Sequence, residues 1–245
     1  MIKTLIIGLD LSFSSTGIAI SYLEDKIGKT IQFHRLVFDE NKNVKKQYVP
    51  TPIENINQVT YRMPTNILPS DLVIDDENNN NQMQIETTLK AMIASKKIAN
   101  IIFLAIKQFN PDNCVFVIEN YIMPQYTGAA QLKTVSGLIM LQGFVRAEII
   151  KFGIDFNLKV KLMTPTPSNN KLFFAKNGSA DKSIMLKAFI ENYDGKKLIP
   201  SADIHILGRI DDVVDGFSLM MQGFATYIKD LVVIQTKLNP NIIEL

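Results

Sequence analysis

Short, continuous apolar runs at the start of the chain predict three strands. Residues 4–9 (TLIIGL), 18–23 (IAISYL) and 30–37 (TIQFHRLV) are rich in β-branched, aliphatic and aromatic residues. Such runs are typical of strands buried on one or both faces. Turn-rich segments of a few residues separate them. At this spacing we expect an antiparallel meander.

The pattern changes between about residues 39 and 83. Four prolines interrupt this segment, which ends in the polar run DDENNNN. A long irregular segment of this kind within a compact domain usually has its own function or is an insertion. We therefore expect an insertion over 39–83, after the third strand.

The rest of the chain alternates between helical and strand patterns. Apolar residues at helical spacing predict four helices, at 84–109, 128–151, 179–192 and 208–229. Two further apolar runs predict strands at 114–119 and 158–163. The fold class is therefore α/β: a mixed five-stranded sheet in the order β-β-β-α-β-α-β, flanked by helices. We expect one domain over residues 1–245.

Smaller features complete this prediction. Residues 164–170 (TPTPSNN) are expected to form a loop, and Ser179 is expected to cap the helix that follows. Residues 231–237 (LVVIQTK) predict an edge strand or part of a short C-terminal tail over 231–245.

Composition and charge narrow the class of protein. Apolar residues make up 47% of the chain and charged residues 20%, as in a globular protein with a sizeable core. The net charge of +2 argues against a strongly basic DNA-coating protein. The single cysteine, Cys114, excludes a disulfide framework and a cysteine-built zinc site. Neither a signal peptide nor a membrane span is evident, so we expect a cytoplasmic protein without membrane contact.

Acidic residues stand where buried elements end. Asp10 follows the first strand and Glu119 ends the fourth, while Asp212 and Asp215 are spaced to share one face of the last helix. Burying a carboxylate costs several kcal/mol unless it is paired or binds a metal. Their joint placement predicts one shared site. Asp211 could be the site residue in place of Asp212, but we favour Asp212 because of its three-residue spacing to Asp215.

Carboxylates gathered in this way repel one another unless a cation lies between them. Oxygen ligands without His or Cys favour Mg²⁺, with Mn²⁺ as a substitute, over zinc. Two such ions about 3.5–4 Å apart stabilise both the attacking and the leaving oxygen of a displacement at phosphorus. These residues therefore predict phosphodiester hydrolysis by a metal-activated water.

Four segments resemble the motifs of one protein family and occur in the same order as in that family. They are IIGLDLSFSSTGIAI, VFVIEN, KLFFAKNGSADKSIML and DDVVDGFSLM. The chain is similar to the RuvC-type Holliday-junction resolvases, which have the RNase H-like fold. The resemblance implies that Asp10, Glu119, Asp212 and Asp215 are the catalytic metal ligands, with two Mg²⁺ per site. It also implies a homodimer that acts on four-way junctions and other branched DNA and leaves 5′-phosphate and 3′-hydroxyl ends.

The third segment of the resemblance implies DNA contacts. Lys171 and Lys182 match family lysines that contact phosphates near the crossover. Residues 146–187 contain eight basic and three acidic residues, a local excess that suits a phosphate-binding surface. The further DNA-binding candidates are Lys176, Ser14 and Tyr121. Tyr121 stands near the position where the family presents an aromatic residue to the junction, while position 122 is Ile.

Three other functions remain open at this point. The alternatives are an RNase H that cleaves RNA–DNA hybrids, an actin-like ATPase suggested by GLDLSFSSTG, and a junction-binding protein without catalysis. An ATPase of that class would need a second Gly-rich phosphate loop, which the sequence lacks. The Ile-, Asn- and Lys-rich composition and the insertion suggest a phage-encoded version.

Overall fold

The computed structural model of the protein describes residues 1–25, 27–39, 53–64, 67–68, 80–120 and 129–238. Its elements in chain order are β1 (Lys3–Asp10), β2 (Ser15–Glu24), β3 (Ile27–Asp39), β4 (Ile56–Arg62), α1 (Asn80–Phe109), β5 (Asn113–Ile118), α2 (Ala129–Asp155), β6 (Lys159–Met163), α3 (Pro167–Ala175), α4 (Lys182–Asn192), α5 (Gly195–Leu198) and α6 (Leu207–Leu238). A 3₁₀ turn over Ile204–Ile206 precedes α6.

One sheet joins all six strands in the order β4-β3-β2-β1-β5-β6. The first three form the predicted antiparallel meander, and β5 and β6 run parallel to β1. This confirms the predicted α/β fold class, a mixed sheet flanked by helices, with the predicted elements in their predicted order. The sheet nevertheless has six strands instead of five, because β4 pairs in parallel with β3 from within the predicted insertion at 39–83.

The sheet separates two hydrophobic cores. Side chains alternate between the faces of a strand, so Leu5, Ile7 and Leu9 of β1 pack towards α1 and α2. Ile6 belongs to the opposite core, with α3, α4 and α6. None of the described helices is both long and apolar enough to cross a membrane.

Two local predictions between 164 and 182 were wrong. Residues 167–175 form α3 in place of most of the loop expected at 164–170: Thr166 accepts a hydrogen bond from the Asn169 backbone N–H, and Pro167 takes the first helical position, which are both helix-start signals. Lys171 therefore lies on a helix. The cap of α4 is Asp181, whose carboxylate accepts from Ile184 N–H, and not Ser179.

The end of the chain also differs from the prediction. Residues 231–237 continue α6 as far as Leu238, so they form neither an edge strand nor a tail. The run LVVIQTK has β-branched residues, but it directly continues a long helix. A short apolar run does not distinguish strand from helix by periodicity alone.

Candidate active site

Asp10 and Glu119 lie side by side at one edge of the sheet. Leu9 of β1 is paired with Ile118 of parallel β5, and the two carboxylates come one residue later on each strand. The carboxyl ends of parallel neighbours meet at the same edge, so the structure brings these two residues together at adjacent strand ends.

The helix α6 packs against the sheet at a row of three residues on neighbouring strands. Asp10, Gly17 and Arg35 are directly opposite one another on β1, β2 and β3. A Cβ atom at Gly17 would lie 1.8 Å from the carbonyl oxygen of Asp212. The absent side chain thus lets the helix backbone touch the sheet between Asp10 and Arg35, and this contact brings the acidic residues of α6 to the strand ends.

Asp212 is already paired. The Nε–H of Arg35 donates to both its carboxylate oxygens, at 3.1 and 2.9 Å, and both side chains are buried. Asp212 Oδ1 also accepts from the backbone N–H of Val213. Asp212, which was expected to bind metal, therefore forms a buried ion pair with Arg35.

Asp211, the alternative to Asp212, also lies close to Asp10 and Asp215. Residues four apart share a helix face, so Asp211 lies on the same side of α6 as Asp215. Its carboxylate contacts the Lys182 ammonium at the start of α4. The register alternative left open by the sequence, Asp211 with Asp215, is the one that this geometry favours.

The carboxylates lie close enough to repel one another. The pKa of Asp10 is raised well above its usual range, first by burial and then by neighbouring charges, those of Asp215, Glu119, Asp212 and Asp211. Burial, followed by repulsion from Glu119 and Asp211, raises the pKa of Asp215 to about 7. Such shifts cluster at functional sites.

Glu119 is surrounded by α3 and α6. Burial raises its pKa, while the Lys171 ammonium and a hydrogen bond from the Asn170 side chain oppose that shift. Asn170 is buried and donates to Ser218 Oγ at 2.7 Å, and Ser218 donates to the carbonyl oxygen of Asp215 at 2.8 Å. Asn170 therefore joins β5, α3 and α6 at the site.

The oxygen ligands at this site are of the kind that binds a divalent cation, but the carboxylates are too far apart to coordinate one together. Carboxylate oxygens are the ligands that Mg²⁺ and Mn²⁺ prefer, and Asn170 Oδ1 is buried without a partner beside them. Among the residues that the structure describes, no group of three or more His, Cys, Asp or Glu is spaced to hold a metal ion. To share an ion, these mutually repelling side chains would have to move closer together than they are here.

The remaining DNA-binding candidates are distributed unevenly. Lys171 is close to Glu119 and Asp215. Lys176 is exposed at the end of α3, where its ammonium donates to the Phe173 carbonyl oxygen. Ser14 is exposed in the turn between β1 and β2 and bonds to Ser12. Tyr121 lies outside the described residues.

Two contributors to the site were missed by sequence reasoning. Arg35 is a charged residue within an apolar strand run, and such a residue is rarely fully buried unless it is paired; this was the available signal. Asn170 had no comparable signal, because it belongs to a polar segment that was predicted to be a loop.

No family model matches the sequence, and no curated protein is similar to it. Among solved structures, the fold is similar to a Thermus thermophilus RuvC structure, with 12% identity over 92% of this chain and 96% of that chain and a TM-score of 0.43. The yeast mitochondrial Holliday junction resolvase Ydc2 has 13% identity over 89% of this chain and 76% of its own, also with a TM-score of 0.43. A human cytomegalovirus terminase nuclease domain has 14% identity over 89% and 81%, with a TM-score of 0.32. These similarities are remote.

Proposed function

We propose that this protein is a metal-dependent endonuclease that resolves four-way junctions and other branched DNA by phosphodiester hydrolysis, leaving 5′-phosphate and 3′-hydroxyl ends. The observation that supports this best is the convergence of carboxylates from β1, β5 and α6 on one edge of the sheet, where burial and neighbouring charges together raise the pKa of Asp10 and Asp215. A structural cluster would be expected to pair each acid with a base. Among the described residues, the close ion pairs at this end of the sheet go to Asp212 and Asp211, while neighbouring carboxylates raise the pKa of Asp10 and Asp215.

In this proposal Asp10, Glu119, Asp211 and Asp215 hold Mg²⁺ or Mn²⁺. When bound, such ions supply an activated water and stabilise the charge on the leaving oxygen. Asp212, named as a ligand from the sequence, instead fixes α6 through Arg35. Asn170 positions Glu119 and, through Ser218, the turn of α6 that contains Asp215.

Lysines at the rim of this edge suit a DNA backbone. Lys171 and Lys182 both lower the pKa of Asp215, so their charges reach the site. Lysine binds phosphate as a point charge, and these two would hold the phosphate that is cut. Lys176 and Ser14 are proposed as outer backbone contacts, and Tyr121 as the base-stacking residue.

A homodimer would match the symmetry of a four-way junction. Ile139, Ile150 and Ile154 lie exposed on one face of α2, and a second copy would bury this apolar surface. We expect wild type to sediment as a dimer and Ile154→Glu to sediment as a monomer. A wild-type monomer at the concentrations used for cleavage would remove the dimer from the proposal.

The deciding experiment is a panel of end-labelled nucleic acids: four-way junction, flap, linear duplex and RNA–DNA hybrid. With Mg²⁺, wild type should cut the junction into symmetric nicked products that a ligase reseals, and with EDTA it should cut nothing. Glu119→Gln should bind the junction but not cut it. Preferential cleavage of the hybrid would favour the RNase H alternative, and junction binding without cleavage by wild type would favour the non-catalytic one.

A further inference from the structure

Lys182 contacts Asp211 and lies close to Asp215 and Asp10. Its ammonium contacts Asp211, whose side chain is only 11% exposed, while the lysine side chain itself is 66% exposed. Lys182 is the first residue of α4, directly after the Asp181 cap. The contact thus joins a buried carboxylate to a flexible side chain that reaches in from solvent.

The Lys182 charge acts on more than one carboxylate. The hydrogen bond to Asp211 contributes most to the raised pKa of Lys182, and the charges of Asp215 and Asp10 add to it. In return, Lys182 lowers the pKa of Asp215. Lys182 is therefore a counter-ion of Asp211, Asp215 and Asp10, whereas Arg35 is paired with Asp212.

We propose that Lys182 is a displaceable counter-ion: a divalent cation replaces its ammonium at Asp211, and the released ammonium binds a DNA phosphate. This inference rests on the proposed function, since it assumes that Asp211 is a metal ligand. No bond is made or broken in the exchange. One ionic partner of Asp211 replaces another, and Lys182 exchanges a carboxylate for a phosphate.

The exchange has a defined energetic consequence. Without DNA, a metal ion must compete with the Lys182 ammonium, which weakens metal binding. With DNA bound, the ammonium has an alternative anionic partner and the competition is relieved. Metal and DNA therefore increase each other's affinity, and by thermodynamic linkage the factor is the same in both directions. The largely exposed side chain makes the movement inexpensive.

The first test measures metal binding without DNA. Mn²⁺ is titrated into metal-free wild type, Lys182→Met and Lys182→Gln, with bound ion followed by electron paramagnetic resonance. Both variants should bind Mn²⁺ about threefold or more tightly than wild type, the effect expected of one partly exposed ion pair. Lys187→Met is the control, because Lys187 is an equally exposed lysine of α4 whose ionic partner is Glu191. It should bind like wild type.

The outcomes separate this inference from the proposed function. Unchanged or weaker Mn²⁺ binding by folded Lys182→Met would overturn the counter-ion role and leave the metal site standing. An equal gain in Lys187→Met would show a general charge effect and would also overturn it. No Mn²⁺ binding by any of the proteins would overturn both proposals. Far-ultraviolet circular dichroism and thermal unfolding establish that each variant is folded.

The second test measures the coupling directly. Ca²⁺ takes the same oxygen ligands and serves as the probe ion. The dissociation constant of a fluorescent four-way junction is measured by anisotropy with and without Ca²⁺. Wild type should bind the junction more tightly with Ca²⁺, and the ratio should fall by about threefold in Lys182→Met but not in Lys187→Met. An unchanged ratio in Lys182→Met would contradict the exchange.

Discussion

Arg35 binds Asp212 across the seam between β3 and α6, with its Nε–H donating to both carboxylate oxygens. The two residues are 177 positions apart in sequence and are both buried. Asp212 is turned towards Arg35, while Asp211 and Asp215, four residues apart, share the neighbouring face of α6 and lie close to Asp10. The ion pair therefore sets the rotation of α6 about its axis.

Removing one partner of the Arg35–Asp212 pair should lower the free energy of unfolding far more than removing both. Arg35→Met leaves a buried, unpaired carboxylate and should lower the free energy of unfolding by about 3–5 kcal/mol. The double variant Arg35→Met/Asp212→Leu removes both charges and should recover most of that loss. Urea unfolding of the wild type, both single variants and the double variant completes the cycle. Additive losses in the double variant would contradict the pairing.

Substitutions of Asp211 and Asp212 should affect different properties, cleavage in the first case and stability in the second. Asp211→Asn removes a proposed metal ligand and should lower Mg²⁺-dependent junction cleavage at least about 100-fold while the protein stays folded. Asp212→Asn should instead lower stability, and it should cut at a rate near wild type when assayed well below its unfolding temperature. Cleavage rates per folded molecule distinguish the two. The reverse result would restore Asp212 as the ligand.

The neighbouring carboxylates show where sequence reasoning succeeds and where it stops. Asp10 and Glu119 were located because each ends an unbroken apolar run, and buried strands are recognisable from such runs. The choice between Asp211 and Asp212 depends on the rotation of α6. That rotation depends on Arg35 and on contact with Gly17, which are distant in sequence, so helical spacing alone did not reveal that Asp212 pairs with Arg35.

Local signals were also present but ambiguous. Thr166 and Pro167 form a good helix start, yet the polar TPTPSNN segment is equally typical of a loop. Ser179 and Asp181 are both favourable caps, and the structure uses the second. In each case the packing of α3 and α4 against the core, unknown at the sequence level, decides between two locally acceptable conformations.

Gly17 should tolerate no side chain. The Cβ of Gly17→Ala would lie 1.8 Å from the Asp212 carbonyl oxygen and 2.2 Å from its carbonyl carbon, so α6 must move away from the sheet. We expect a loss of about 3 kcal/mol or more and a matching loss of cleavage. Gly28→Ala is the control, because a Cβ there meets nothing within 4 Å. Thermal unfolding that finds the two variants alike would contradict the close packing of α6.

The raised pKa of Asp215 makes the metal-free protein less stable as pH rises. The carboxyl ionises near 3.8 in the unfolded chain and near 7 in the folded protein. Between these values the folded state binds more protons, so the free energy of unfolding should fall as pH rises, by on the order of 2 kcal/mol between about pH 5 and pH 8. Asp10 and Glu119 shift in the same direction. Urea unfolding in EDTA across this range measures the effect.

Two comparisons isolate the carboxylates in that pH profile. His34 acts in the opposite direction, since burial lowers its pKa and stability is lost as it is protonated at low pH; subtracting the profile of Asp215→Asn from that of wild type removes this contribution. Mg²⁺ binds the ionised carboxylates, so it should stabilise wild type more at pH 8 than at pH 5. Equal stabilisation by Mg²⁺ at both pH values would mean that the ion binds elsewhere, because at this cluster it competes with the proton of Asp215, whose pKa lies near 7.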